Sequence, residues 1–212
     1  MEDLTASVVI FLNTGRTRRI SVKQCGKIPE QGRQLLKDLK LGESVADACL
    51  CAKDGAVLFL SRQGKGLLVD AAHLSMVKSA PVVPCEGMQF REKDQAAKCI
   101  SYEKNQEYLI VAASGQVSCM DREFNLLAHG RQGYGVAIAK IEVNDQVVGI
   151  MKPQGALILI SGRGRALCIA DQDVRRTKAA AAGVETLKMR RGQRVVAAYP
   201  MTLVLNETEE GS

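Results

Sequence analysis

The chain has 212 residues, 46% hydrophobic and 25% charged, with no tryptophan and a formal net charge of +6. That hydrophobic share is ample for a packed core and the charge share is ordinary for a globular protein, which excludes a disordered or collagen-like chain. No apolar run approaches the ~20 residues that span a bilayer, and Glu2 and Asp3 precede a short strand-like run, so no membrane partner and no secretory signal is expected and the sequence reads as cytoplasmic.

Short apolar runs ending in a glycine-containing turn recur along the chain. The first is Val8–Leu12 before Asn13-Thr14-Gly15-Arg16, and the second is Ala56–Leu60 before Arg62-Gln63-Gly64-Lys65. The third is Tyr108–Val111 before Ala113-Ser114-Gly115-Gln116, and the fourth is Ala156–Ile160 before Gly162-Arg163-Gly164-Arg165. The glycines at 15, 64, 115 and 164 are 49, 51 and 49 residues apart. A period near fifty built from short strands predicts a bladed or solenoid array. A second turn keeps the same phase, 27 to 29 residues after each glycine, at Leu41-Gly42-Glu43, Glu92-Lys93-Asp94, Val143-Asn144-Asp145 and Arg191-Gly192-Gln193.

The fourth unit shows the template most clearly. Ala156–Ile160 and Ala166–Ala170 read as two strands of a hairpin whose turn uses glycine for a positive φ. A basic stretch follows, then alternating residues 183–189 as a third strand and 195–199 as a fourth. Each unit is thus expected to be four strands in two hairpins, and Pro81, Pro84 and Gly87 interrupt the third strand of unit two. The expected fold is all-β: one domain over residues 1–205 of about four four-stranded blades of about 50 residues, at about 5–52, 53–104, 105–152 and 153–201, with an acidic tail at 206–212. A β-sandwich would explain many short strands but not two anchors in register.

Charge is unevenly shared. Residues 5–52 hold eight basic and four acidic side chains, and 153–201 hold nine and three, whereas 105–152 hold four and five. Cations recur at equivalent places. After the first turn stand Arg16, Arg18 and Arg19, then Arg62 and Lys65, then Arg163 and Arg165. In the loop joining the hairpins stand Lys27, Arg33 and Lys37, then Lys78, then Arg131, then Arg175, Arg176 and Lys178. Stacked units would set these in rows, forming a positive track of the kind that a phosphate backbone requires. Phe11 and Phe59 belong to apolar strands and should be core, so base stacking is not expected; Tyr134, inside Gly130–Gly135, is the one aromatic not assigned to packing. Duplex DNA held by its backbone is the expected partner, with a protein-interaction scaffold for an acidic protein as the alternative.

Catalytic and metal chemistry find no constellation. Gly64-Lys65 is followed by Gly66, so no phosphate loop is present, and the glycine-rich 130–135 stretch is not set in a strand–helix unit. The seven cysteines at 25, 49, 51, 85, 99, 119 and 168 include no C-x-x-C pair, and His73 and His129 stand apart from them, so no metal and no cofactor is expected and the thiols should be buried and reduced.

Several stretches resemble the C-terminal β-pinwheel domain of the A subunit of bacterial type IIA topoisomerases, DNA gyrase and topoisomerase IV. The likeness runs over about residues 6–201 and rests on Leu157–Arg165, on Ala182-Gly183-Val184 with Gly192–Val196, and on Ala112–Gly115, Gly135–Ile138 and Asn144–Ile150. It implies blades that exchange strands, duplex DNA bent around the perimeter, and cleavage by a separate N-terminal domain of the A subunit working with an ATPase B subunit. Gyrase members carry a box Q-[RK]-R-G-G-[RK]-G in the first interhairpin loop. Residues 24–33 hold no clean copy, so the resemblance implies a topoisomerase IV-like rather than a gyrase-like domain.

Overall fold

A computed structural model describes residues 6–24, 31–74, 76–77, 80–122, 126, 132–177, 184–185 and 193–202. Among them the chain forms sixteen strands, three single 3-10 turns and no α-helix. In chain order the strands are β1 (Ser7–Leu12), β2 (Thr17–Ser21), β3 (Val45–Cys51), β4 (Ala56–Ser61), β5 (Lys65–Asp70), β6 (Met76–Val77), β7 (Ala96–Tyr102) and β8 (Tyr108–Ala112). There follow β9 (Gln116–Met120), β10 (Val136–Ala137), β11 (Val147–Met151), β12 (Gly155–Ser161), β13 (Ala166–Ala170), β14 (Arg176–Thr177), β15 (Val184–Glu185) and β16 (Val195–Thr202).

These make four sheets: β3-β1-β2-β6, β10-β5-β4-β7, β11-β8-β9-β14 with β15 also on β9, and β13-β12-β16. The first hairpin of each unit is present, β1 with β2, β4 with β5, β8 with β9 and β12 with β13. The reading of each unit as two hairpins of its own is corrected. The strand between the hairpins leaves its unit and lies on the sheet before it: β6 on β2, β10 on β5, and β14 and β15 on β9. The physical reason is edge satisfaction. The second strand of each first hairpin would otherwise present a row of unpaired backbone groups, and the next unit supplies the partner.

Period-two alternation explains the continuous apolar runs. Val57 and Phe59 of β4 face the first sheet, where Val9 and Phe11 meet them, with the Phe11 and Phe59 rings 4.7 Å apart. Leu58 and Leu60 of the same strand face the third sheet, against Tyr108 and Ile110. Leu109 and Val111 then face Leu157 and Leu159 of the fourth. The free face of the first sheet, Ile10, Leu12 and Ile20, is capped by Leu36 and Val82. Tyr108, fully buried, keeps its hydroxyl paired by accepting the Glu103 N–H at 2.7 Å, and burial pushes its pKa up to about 12.

The repeated glycine is where the next unit's backbone arrives. Gly15 has φ +89, and a Cβ there would lie 2.0 Å from the Met88 carbonyl oxygen; at Gly64, φ +76, it would lie 2.4 Å from that of Ala139. Gly164 has φ +75 but nothing within 4 Å. Alanine at any of the three incurs about 1–2 kcal/mol of left-handed strain. Only Gly15→Ala and Gly64→Ala add a backbone collision. Calorimetry should show Gly164→Ala lowering Tm by about 2–8 °C and the other two by clearly more; equal shifts would contradict the docking role.

Candidate nucleic-acid interface

The turns of the four sheets form one hydrogen-bonded row along an edge of the array. Within a unit the first turn binds the second: Asn13 Nδ2 donates to Gly42 O at 3.0 Å, Gln63 N–H to Asp94 Oδ1 at 3.1 Å, Ser114 N–H to Asp145 Oδ1 at 3.0 Å, and Gly162 N–H to Arg194 O at 3.0 Å. Between units the start of the last strand donates to the preceding first turn: Ala96 N–H to Asn13 O at 3.2 Å, Val147 to Arg62 O at 3.0 Å, and Val195 to Ala113 O at 2.8 Å. First and second turns therefore alternate without a break from one end of the array to the other.

The cations read from the sequence have free charge in some places and not in others, and of them Arg16, Arg62, Lys65, Arg163 and Arg165 belong to the turns of this row. Arg62, Arg163 and Arg165 are exposed at their turns and Lys65 is half-buried opposite Ala137 of β10. Arg175 is exposed just before β14, and Arg33 and Lys37 are exposed in the loop of the first unit, where Arg33 donates to Gln24 O at 3.2 Å. Lys27, Lys78, Arg131 and Lys178 lie outside the described residues. Arg176 holds Glu107 through Nε at 3.1 and 3.3 Å, and Glu107 also draws Arg122 to 3.5 Å. Donating to the Glu107 carboxylate raises the Arg176 pKa, with burial opposing it.

Arg16 and Arg19 are committed inside the protein. Arg16 donates to Glu43 Oε2 at 2.7 Å and to Pro84 O at 2.8 Å. The Glu43 side chain is sealed from solvent. Burial works against its ionisation, but hydrogen bonds from the Thr14 hydroxyl and the Lys40 N–H, with the Arg16 charge, outweigh that and hold its pKa below the ordinary value. Arg19 is 5% exposed and uses its whole fork: Nε to Ser7 Oγ at 2.6 Å, Nη1 to Ala71 O at 2.8 Å, and Nη2 to Ala52 O at 3.0 Å and Lys53 O at 2.9 Å. It ties the first sheet to the connection and turn that bracket the hairpin of the second. Arg18, pointing the other way on the same strand, is half-buried with Nε unpaired among the described residues.

The sequence reading missed the cations of the second turns. Lys40, Arg91, Lys93 and Arg194 are exposed there, Arg194 reaching Asn144 O at 2.8 Å and Asp145 at 3.7 Å. Their signal was available, since the second turn keeps phase with the first. Among the described residues no cluster of three His, Cys, Asp or Glu could hold a metal, and no helix is long and apolar enough to cross a membrane. Cys51, Cys99 and Cys119 are buried as expected, and burial pushes Cys119 up to about 11. Cys168 is exposed and Cys49 and Cys85 are half-buried, which corrects the expectation for those three; Cys25 lies outside the described residues.

An array of strand-exchanging sheets with its turns on one edge is a β-pinwheel, the fold that the sequence likeness implied. Among solved structures it is similar to the DNA gyrase A C-terminal domain, with a TM-score of 0.80, 21% identity and 93% of this chain and 67% of that one covered. It is similar also to the C-terminal domain of DNA topoisomerase IV, with a TM-score of 0.79, 18% identity and 94% and 63% covered, and to the E. coli ParC C-terminal domain, with a TM-score of 0.65, 17% identity and 93% and 82% covered. The chain thus spans about two thirds of the length of the first two. No protein-family model and no curated protein matches the sequence.

Two outcomes separate internal ties from surface charge. Arg19→Met strands several buried carbonyls at about 1–3 kcal/mol each, so Tm should fall by at least about 5 °C with no change in any polyanion affinity of the folded chain. Glu43 is ionised more readily folded than unfolded, so its stabilising share is present above the ordinary glutamate pKa and is lost as pH falls through its lowered one. Thermal melts between about pH 5 and pH 3 should show a shallower decline for Glu43→Gln than for the parent.

Proposed function

We propose that the chain is a non-catalytic module that binds and bends duplex DNA, acting as the C-terminal domain of a type IIA topoisomerase A subunit of the topoisomerase IV kind. The observation that carries this reading is the continuous row of turns with exposed Arg62, Arg163 and Arg165, joined by Lys40, Arg91 and Lys93. Cations exposed at the turns can meet backbone phosphates and need no base edge, so recognition in this reading is of backbone and shape. Strand cleavage belongs, in this reading, to the N-terminal domain of the A subunit, and ATP turnover to a B subunit. This chain contributes capture and orientation of a duplex in the cytoplasm.

Bending a short site through 40–90° costs on the order of 1–6 kcal/mol, which many phosphate contacts must offset. With roughly six to ten contacts, affinity should drop by about 10³–10⁵ between 50 and 200 mM salt. Gel retardation of a random linear duplex across that range tests it, and an affinity indifferent to salt rules it out. Arg163→Ala with Arg165→Ala should weaken binding to unrelated sequences equally and reduce the salt slope by about 2. Circularly permuted fragments should migrate differently in the complex; uniform migration would mean binding without a bend.

A further inference from the structure

Residues 132–137 run along the outer edge of the second sheet and are pinned from two sides. β10 pairs with β5 at Val136↔Gly66 and Ala137↔Lys65. Upstream, Gln132 donates its N–H to Gly87 O, and Gly133 O accepts the Gln89 N–H at 2.9 Å. The glycines either side of Tyr134 are required by this approach: a Cβ at Gly135, φ +68, would lie 2.7 Å from the Gly66 carbonyl oxygen, and one at Gly133 would lie 2.7 Å from Leu67 Cδ1. With the backbone pressed against the sheet, the Tyr134 side chain is directed outward and is 43% exposed.

Its neighbour is a cation. The guanidinium carbon of Arg91 stands 4.7 Å from the centroid of the Tyr134 ring. Arg91 is exposed, belongs to the second turn of unit two, and makes no ion pair among the described residues, whereas Arg176 and Arg194 face carboxylates. No described group hydrogen-bonds the Tyr134 hydroxyl. Arg91 and Tyr134 come from different units, and they meet only because unit three lends its strand to unit two.

We infer that Arg91 and Tyr134 form a two-residue contact for one backbone phosphate of the bound duplex, the guanidinium and the phenol O–H both donating to it. The inference rests on the duplex-binding reading above. Stacking on the ring restricts the arginine to one orientation before the ligand arrives, which reduces the ordering cost of its N–H fork. The phenol adds a neutral donor to the charged acceptor, a group that phosphate contacts use alongside arginine. Lys65, across from Ala137, adds positive potential to the same stretch of edge.

The test uses the full chain and a random linear duplex. Tyr134→Phe keeps the ring under Arg91 but removes the hydroxyl, and binding should weaken about tenfold. Arg91→Ala should weaken it and lower the salt slope by about 1. Since both act on one phosphate, the double variant should lose less than the product of the single losses. The chain has no tryptophan, so Tyr134→Trp creates a single reporter whose emission should change on saturation with duplex. Parent-like binding by Tyr134→Phe overturns the shared contact, even if Arg91→Ala binds less well. If, in addition, Arg163→Ala with Arg165→Ala still weakens binding, the duplex-binding reading stands without it. A parent chain that fails to retain duplex at low salt removes both.

Discussion

The structure depends on backbone lent from one repeat to the one before it. No first hairpin closes its own sheet: β2 waits for β6, β5 for β10, and β9 for β14 and β15. The lent segment also supplies bonds at the turn, Met88 N–H to Gly15 O at 3.0 Å and Ile138 N–H to Gly64 O at 3.0 Å. Packing then follows, because a strand with neighbours on both faces can be apolar throughout. That is why β4 and β8 are buried along nearly their whole length. The fourth sheet shows the same rule by its exception. Among the described residues nothing pairs with the far edge of β13, its Cys168 is exposed, and Gly164 has open space where Gly15 and Gly64 meet a carbonyl.

The same arrangement decides the fate of each arginine. Arg18 and Arg19 are adjacent on β2, so they must point to opposite faces, and the one facing the second unit is buried. A buried guanidinium is tolerable only with its donors engaged, and the chain turn at Ala52–Lys53 and the carbonyl of Ala71 supply acceptors. At the turns the geometry is reversed. Arg62 is held in the row by its own backbone, Arg163 and Arg165 stand in the turn that Gly162 ties to Arg194, and all three side chains are exposed.

Much of the fold was legible in the sequence because its spacing has a local cause. Glycine recurs near every fiftieth position, at Gly15 and Gly64 because a carbonyl of the next unit would meet a Cβ, and apolar runs recur where sheets lie on sheets. The partner of the third strand was not legible from the residues alone, and only the likeness to the β-pinwheel domains implied the exchange. Alternation in residues 183–189 says that Val184 faces something apolar, but β15 joins β9 rather than its own unit, and periodicity cannot choose between sheets. The candidate site was half legible for a similar reason. Basic residues could be counted at each turn, but Arg16 and Glu43 are 27 residues apart, and only the contact between the two turns shows that they neutralise each other. Lys40, Arg91, Lys93 and Arg194 stand at second turns, two of which contain no glycine, so their turn signal is weaker than that of the first turns.

The third unit raises the sharpest electrostatic question, since its first turn, Ala113–Gln116, carries no cation and its second carries Asp145. A carboxylate in mid-row would repel a polyanion and divide the edge in two. Three features prevent that. Asp145 is 8% exposed, its Oδ1 accepts the N–H groups of Ser114 and Gln146, and Arg194 of the fourth unit reaches back across the seam to within 3.7 Å of it. The acid is thereby spent on holding the turns together. Among the described residues, what flanks the third unit's second turn is close to neutral, Lys140 and Glu142 both being exposed there. On the duplex-binding reading, such an edge attracts a polyanion at basic stretches on either side of a near-neutral one and repels it nowhere between them.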